Sequence, residues 1–145
     1  VVTAVDGQGR LHGLTANSFT SVSLDPPLVL VCVDVGARSY GPLLQQGRFA
    51  IHILSRDQAE IARAFAAKGV DRAGICAWRV DGSGYPILEK YLAVLRCRLE
   101  REHHAGDHAI LIGRVEDLDS GADGERPLVF YGGRLLGLDE VADRP

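Results

Sequence analysis

The chain has 145 residues, 46% of them hydrophobic and 24% charged, which suits a single globular domain able to bury a core without disulfide or metal staples. A formal charge of −3 and only 6% aromatic residues argue against nucleic acid as a partner, and no apolar run approaches the roughly eighteen residues that span a bilayer. Cys32, Cys76 and Cys97 are odd in number and scattered, which fits a reducing cytoplasm and not a disulfide framework.

In chain order, Val1 to Val5 and Leu11 to Thr15 flank the turn Asp6-Gly7-Gln8-Gly9-Arg10 and predict a hairpin. Starting within a strand at Val1, the chain is expected to lack a short N-terminal segment. The stretch Leu14 to Val33 encloses a small-residue polar run between strand-like apolar segments. Ala16, Asn17, Ser18, Thr20 and Ser21 leave backbone N–H and C=O groups reachable, which suits a flat hydrogen-bonding ligand or, equally, a plain polar hairpin loop. Asp25-Pro26-Pro27 turns the chain into Leu28 to Val33, an apolar strand buried on both faces or lining a barrel. Arg38 to Gly47 predicts a short helix closed by Gly47, and Phe49 to Leu54 another strand.

Ser55 is a plausible N-cap for a helix whose Ala59, Ile61, Ala62, Phe65 and Ala66 recur at helical spacing, ending near Gly69. Asp71 to Pro86 reads as a loop-rich excursion with Trp78 as a packing anchor. Tyr91 to Glu102, His108 to Leu118 and Leu128 to Tyr131 read as strands, with a turn at Gly121 to Gly124. Charged residues on every second position from Arg96 onward give that strand one wet face. Many short strands with one strong helix predict an antiparallel barrel or sandwich.

Chemistry-bearing signals are few. His103 and His104 are adjacent strand residues that point to opposite faces, so with His108 they do not converge on a metal. Asp107 either orients the His108 imidazole or caps its own turn. Arg38-Ser39 suits a phosphate or a solvated surface; Lys68-Gly69 suits an anion or the helix dipole. No G-x-G-x-x-G, Walker lysine or G-x-S-x-G motif occurs, so an enzyme built on this chain relies on a bound cofactor for its chemistry.

Five ordered blocks, LTANSFTSVSLDPPLVLVCV, FAIHILSRDQ, FAAKGVDR, AGDHAILIGRV and PLVFYGGRL, resemble the short-chain flavin reductase family, the reductase components of two-component flavin monooxygenases, from Val1 to about Leu138. The resemblance implies a mainly β, FMN-binding split barrel, an antiparallel Greek-key β-barrel with flanking helices, in one domain over residues 1–145. It further implies a homodimer that transfers hydride from NADH or NADPH to flavin N5 and releases reduced FMN or FAD to a monooxygenase. A non-catalytic flavin-binding module and a bound-FMN oxidoreductase with another acceptor are the competing expectations.

By block, Thr15, Ala16, Asn17 and Ser18 are expected at the isoalloxazine edge. Val33, Asp34, Ala37, Arg38, Ser39 and Tyr40 would line the ribityl chain and phosphate, and Ala67, Lys68 and Gly69 the phosphate or adenine side. His108 and Phe130, Tyr131, Gly132, Gly133 and Arg134 would receive the nicotinamide nucleotide. His52 stands where the family usually shows asparagine, Val35 to Arg38 replaces a more serine-rich phosphate loop, and Gly132-Gly133 stands where a bulkier or charged residue often precedes Gly-Arg.

Overall fold

The structure, a computed structural model, describes residues 1–69, 74–121 and 125–138. The principal sheet contains β1 (Val2–Val5), β2 (Leu11–Leu14), β3 (Thr20–Leu24), β4 (Pro27–Asp34), β5 (Arg48–Ile53), β8 (Ala93–Ala105) and β9 (His108–Ser120). Its order is β2-β1-β5-β8-β9-β4-β3, and every pairing is antiparallel. The long β8–β9 hairpin is the spine. β5 returns to its β8 side and β4 to its β9 side, the Greek-key connections of a mainly β split barrel.

The sheet rolls because its inward side chains must share one interior. Val2 and Ala4 of β1, Phe49 and Ile51 of β5, Cys97 of β8, Ala109 and Leu111 of β9, and Val29, Val31 and Val33 of β4 form a single buried cluster. The Phe49 ring lies over Gly113, where an added Cβ would sit 2.6 Å from the ring. Burial raises the Cys97 thiol to about 12, and all three cysteines are free. In β4 the odd-numbered valines are buried while Leu28, Leu30 and Cys32 are only partly covered, so the apolar run is a barrel-lining strand and not one buried on both faces.

Several elements differ from the sequence reading. Thr20 and Ser21 belong to β3, an edge strand bulged between Ser21 and Ser23 and paired only to β4, so the loop proper is confined to residues 15–19. The short helix α1 (Tyr40–Gln46) begins at Tyr40, leaving Arg38 and Ser39 in the preceding turn; Gly47 closes it at φ 60°. The second helix opens with a 3₁₀ turn (Arg56–Gln58) before α2 (Ala59–Ala66), three residues short of Gly69. Gln58 holds that entry, accepting from the Ser55 N–H at 2.9 Å and donating to the Lys90 carbonyl at 2.9 Å.

The loop-rich excursion contains a hairpin, β6 (Trp78–Val80) with β7 (Pro86–Leu88). Asp81 organises its turn, accepting from the N–H groups of Ser83 and Tyr85 at 2.9 Å each, and also pairs with Arg96 at 2.6 Å. The wet face expected at Arg96 is therefore covered by this hairpin. Trp78 packs against the cluster of Val1, Leu11, Leu54, Ala62, Phe65 and Leu88, as expected of an anchor. Residues 70–73 and 122–124 lie outside the described residues, so the Asp71 start of the excursion and the turn at Gly121 to Gly124 are described only in part. The last strand pair, β10 (Leu128–Tyr131) with β11 (Arg134–Gly137), adds a strand that sequence reading missed.

His52 is 1% exposed and accepts the Leu88 N–H at 3.2 Å, bracing β7 from the outer face of β5; its Nδ1 has no hydrogen-bond partner among the described residues. Burial lowers its pKa from 6.5 to about 3. The unfolded chain thus takes up a proton below pH 6.5 that the folded chain refuses, and stability falls as the pH drops from 6.5 towards 3. Between pH 7 and pH 5 the native chain is expected to lose about 2 kcal/mol more than His52→Asn in denaturant melts. Parallel losses in both proteins would contradict a buried neutral imidazole.

Candidate functional site

Beyond β2 the chain leaves the sheet and crosses to β3 through Thr15–Phe19, and its two ends are pinned. The Thr15 N–H donates to the Phe65 carbonyl at 3.3 Å and its hydroxyl to the Ala62 carbonyl at 2.7 Å, both on α2. Ser18 Oγ accepts the Cys32 N–H at 2.9 Å and donates to the Cys32 carbonyl at 3.3 Å, clamping the run onto β4. Both hydroxyls are thus engaged in holding the loop. Ala16 and the exposed Asn17 stand between the anchors, and the Asn17 side chain makes no hydrogen bond among the described residues. Ser18→Ala should leave the Cys32 N–H short of its acceptor and cost about 1–2 kcal/mol in urea unfolding; an unchanged midpoint would contradict the clamp.

The opposite wall is the turn after β4. Asp34 Oδ1 accepts the Gly36 N–H at 2.7 Å, and the Val35 N–H reaches the Asp107 carbonyl at 3.1 Å, drawing the β8–β9 turn to the same place. Ser39 is buried and donates its hydroxyl to Gly13 at 2.9 Å, so its side chain fastens α1 to β2. The N–H groups of Arg38 and Ser39 make no hydrogen bond among the described residues. Consecutive free N–H groups in a turn form a concave anion seat.

Together these walls enclose a cleft of about 660 Å³. All the expected flavin-binding residues except Val33 and Tyr40 line it, joined by Leu14, Cys32, Gly36, Phe65 and Ala66. Val33 faces the barrel interior, fully buried. Tyr40 turns its hydroxyl to Glu102 and, at 3.4 Å, to His104. The cleft's two cations, Arg38 and Lys68, have no ion-pair partner among the described residues.

His108 lines this same cleft and is not grouped with residues 130–134. Its Nδ1 lies 2.8 Å from Asp107 Oδ1, and that hydrogen bond holds the Asp107 carboxyl below its usual range. His104 sits beside Glu102 and Tyr40, so the His104 and His108 imidazoles go to separate neighbours.

A second cleft of about 520 Å³ adjoins the first through Thr15, Ala16, Asn17 and Ala66, and is otherwise mostly apolar, with Phe19, Ile51, Leu128 and Phe130 in its walls. Phe130, Gly133 and Arg134 reach this side, whereas Tyr131 is 75% exposed and lines none of these clefts, nor does Gly132.

The rolled antiparallel sheet thus carries two adjoining clefts, one bearing Arg38 and Lys68 and the other mostly apolar. The flavin reductase like domain model matches residues 1–139, and the chain belongs to that family. A Rhizobium meliloti protein described as a probable flavin reductase is 46% identical over 125 residues, 86% of this chain; the chain spans 40% of that relative's length. The NADH:FAD oxidoreductase SgcE6 of Streptomyces globisporus C-1027, solved with NAD and FAD fragments, superposes with a TM-score of 0.90 at 36% identity, over 99% of this chain and 86% of that one. The styrene monooxygenase flavin reductase of Pseudomonas putida S12 gives 0.86 at 31% identity, over 97% and 89%.

The residues fit a flavin on their own terms. The Asn17 amide and the neighbouring backbone suit a ring edge of alternating donors and acceptors, and the Arg38 and Lys68 charges with the free N–H pair suit a phosphate.

Proposed function

We propose that the chain is an NAD(P)H-dependent flavin reductase that supplies reduced FMN or FAD to a separate flavin-dependent monooxygenase. The observation that carries this reading is the continuity of the cation-bearing cleft with the apolar one through Thr15, Ala16, Asn17 and Ala66, which gives one planar ring system two open approaches. When bound, flavin supplies the hydride acceptor, and the chain contributes no nucleophile. Its residues position and shield: Ala16 and Asn17 hold the ring edge, Arg38 and Lys68 hold the phosphate, and Phe130 with Arg134 borders the approach of the nicotinamide nucleotide. His108, its ring held by Asp107, borders the same cleft as the flavin contacts.

The openness of both clefts suits a flavin that leaves after reduction, and the relative that serves styrene monooxygenase supports an oxygenase as its destination. The test is oxidation of NADH and of NADPH with FMN, with FAD and without added flavin. Oxidation that depends on flavin is expected; none with either nucleotide would overturn the reading. Flavin that survives gel filtration yet is not bleached by NADH under anaerobic conditions would identify a binding module in its place.

A further inference from the structure

The turn from β4 into α1 carries the free N–H groups of Arg38 and Ser39, and such a seat holds an anion only while the turn keeps its shape. Within the turn the bonds are local. The Ala37 N–H donates to the Asp34 carbonyl at 2.9 Å, and the Tyr40 N–H to the Ala37 carbonyl at 3.0 Å. Longer-range ties come from three places: the Val35 N–H donates to the Asp107 carbonyl at 3.1 Å, the Ser39 hydroxyl to Gly13, and the Tyr40 hydroxyl to Glu102 of β8. The β8–β9 hairpin therefore grips this turn at both ends. Ser39 stands at the N-cap of α1 but makes no side-chain cap bond, its hydroxyl being spent on Gly13. We propose that Glu102 is a positioning residue for the flavin phosphate, holding the Arg38–Ser39 turn in its anion-binding shape through the Tyr40 hydroxyl.

Glu102 is set apart from its neighbours. From Arg101 to His108 every other residue is exposed, whereas the Glu102 side chain is 26% exposed. Its partners among the described residues are the Tyr40 hydroxyl and, at 3.3 Å, His104 Nε2. The Tyr40 ring packs against the barrel cluster and meets the His104 ring edge-on, with centroids 6.5 Å apart. Held between the core and an imidazole, the ring brings its hydroxyl to the carboxylate. The hydrogen bond to Glu102 raises the Tyr40 pKa above its ordinary 10, so the phenol remains a donor at neutral pH. A charged acceptor also makes this bond stronger than one between neutral groups.

This role rests on the flavin reductase reading, in which the phosphate sits beside Arg38. Tyr40 was expected to touch the flavin itself; its hydroxyl instead points to β8, and its effect on the ligand passes through the backbone it shares with Ser39. Glu102 escaped the sequence reading because it is one of the regularly spaced charges of β8, the usual mark of a solvated face.

The test titrates FMN and riboflavin into Tyr40→Phe, Glu102→Leu and Glu102→Gln. Tyr40→Phe keeps the packed ring and removes only the hydroxyl, and both it and Glu102→Leu are expected to weaken FMN about 5-fold or more while riboflavin stays within about twofold. Glu102→Gln retains an acceptor for the phenol and should recover most of the FMN affinity. In turnover with NADH the loss is expected in KM for FMN, with kcat at saturating FMN unchanged. FMN binding unchanged in Tyr40→Phe and Glu102→Leu, equal losses for FMN and riboflavin, or Glu102→Gln as weak as Glu102→Leu would each overturn the proposal. Native protein that reduces neither flavin would overturn the flavin reductase reading and this role with it, a failure seen without any variant and so distinguishable from the others.

Discussion

Replacing Arg38 and Lys68 together by alanine weakens FMN binding about 100-fold and leaves riboflavin binding within about threefold of the native value. Both side chains line the first cleft beside the free N–H groups of Arg38 and Ser39, and neither is committed to a carboxylate among the described residues. A charge-assisted hydrogen bond contributes about 1.5–3 kcal/mol, so losing both contacts removes on the order of 3 kcal/mol even when water replaces part of them. Riboflavin lacks the phosphate and serves as the internal control. Fluorescence titration of each flavin measures the split. Equal losses for the two would mean that the cations shape the cleft without meeting a phosphate.

Phe65→Ala lowers the unfolding free energy by about 3–5 kcal/mol, the usual cost of emptying a buried phenylalanine site. Phe65 is 1% exposed and packs so tightly on Gly13 that a Cβ there would lie 2.7 Å from the ring and 2.8 Å from the Val2 carbonyl. The ring thus seals α2 against the edge of the barrel. The same helix offers the Ala62 and Phe65 carbonyls that pin Thr15, so loosening it also loosens the run from Thr15 to Phe19 that lines the clefts. Urea unfolding with an unchanged m-value checks the stability term, and a loss below about 1 kcal/mol would contradict the seal. Flavin titration of the folded variant should show weaker binding in parallel.

Much of the frame was legible because it obeys simple periods. The first hairpin, the valines of β4 and the long strands β8 and β9 alternate or run apolar as strands do. β3 was hidden because its Thr20, Ser21 and Ser23 resemble loop residues, and only an edge position, with Val22 and Leu24 left exposed, makes a strand of them. The β6–β7 hairpin was hidden because Asp81, Gly82, Ser83 and Gly84 signal a turn more strongly than three-residue strands signal a sheet.

At the site, the order of residues gave location better than direction. The blocks resembling the family marked the run at 15–18, the turn at 34–39 and the end of α2, and the fold gathers all three around one cleft. Side-chain direction is a three-dimensional matter. Val33 lies on the inward phase of β4, Tyr40 turns towards β8, and the Thr15 and Ser18 hydroxyls find backbone partners on α2 and β4 that lie 47 and 14 residues away in the chain. His108 lines the first cleft, where the Val35 N–H also binds the Asp107 carbonyl, a bond that no local pattern announces.

The most direct measurement is anaerobic mixing of FMN with NADH in the presence of a small amount of this protein, followed by the absorbance of oxidised flavin. A reductase built on this cleft bleaches many equivalents of flavin per chain, and the Arg38→Ala/Lys68→Ala variant does so only at far higher FMN concentration. Flavin that keeps its colour with both NADH and NADPH, or bleaching indifferent to the two cations, would contradict the account.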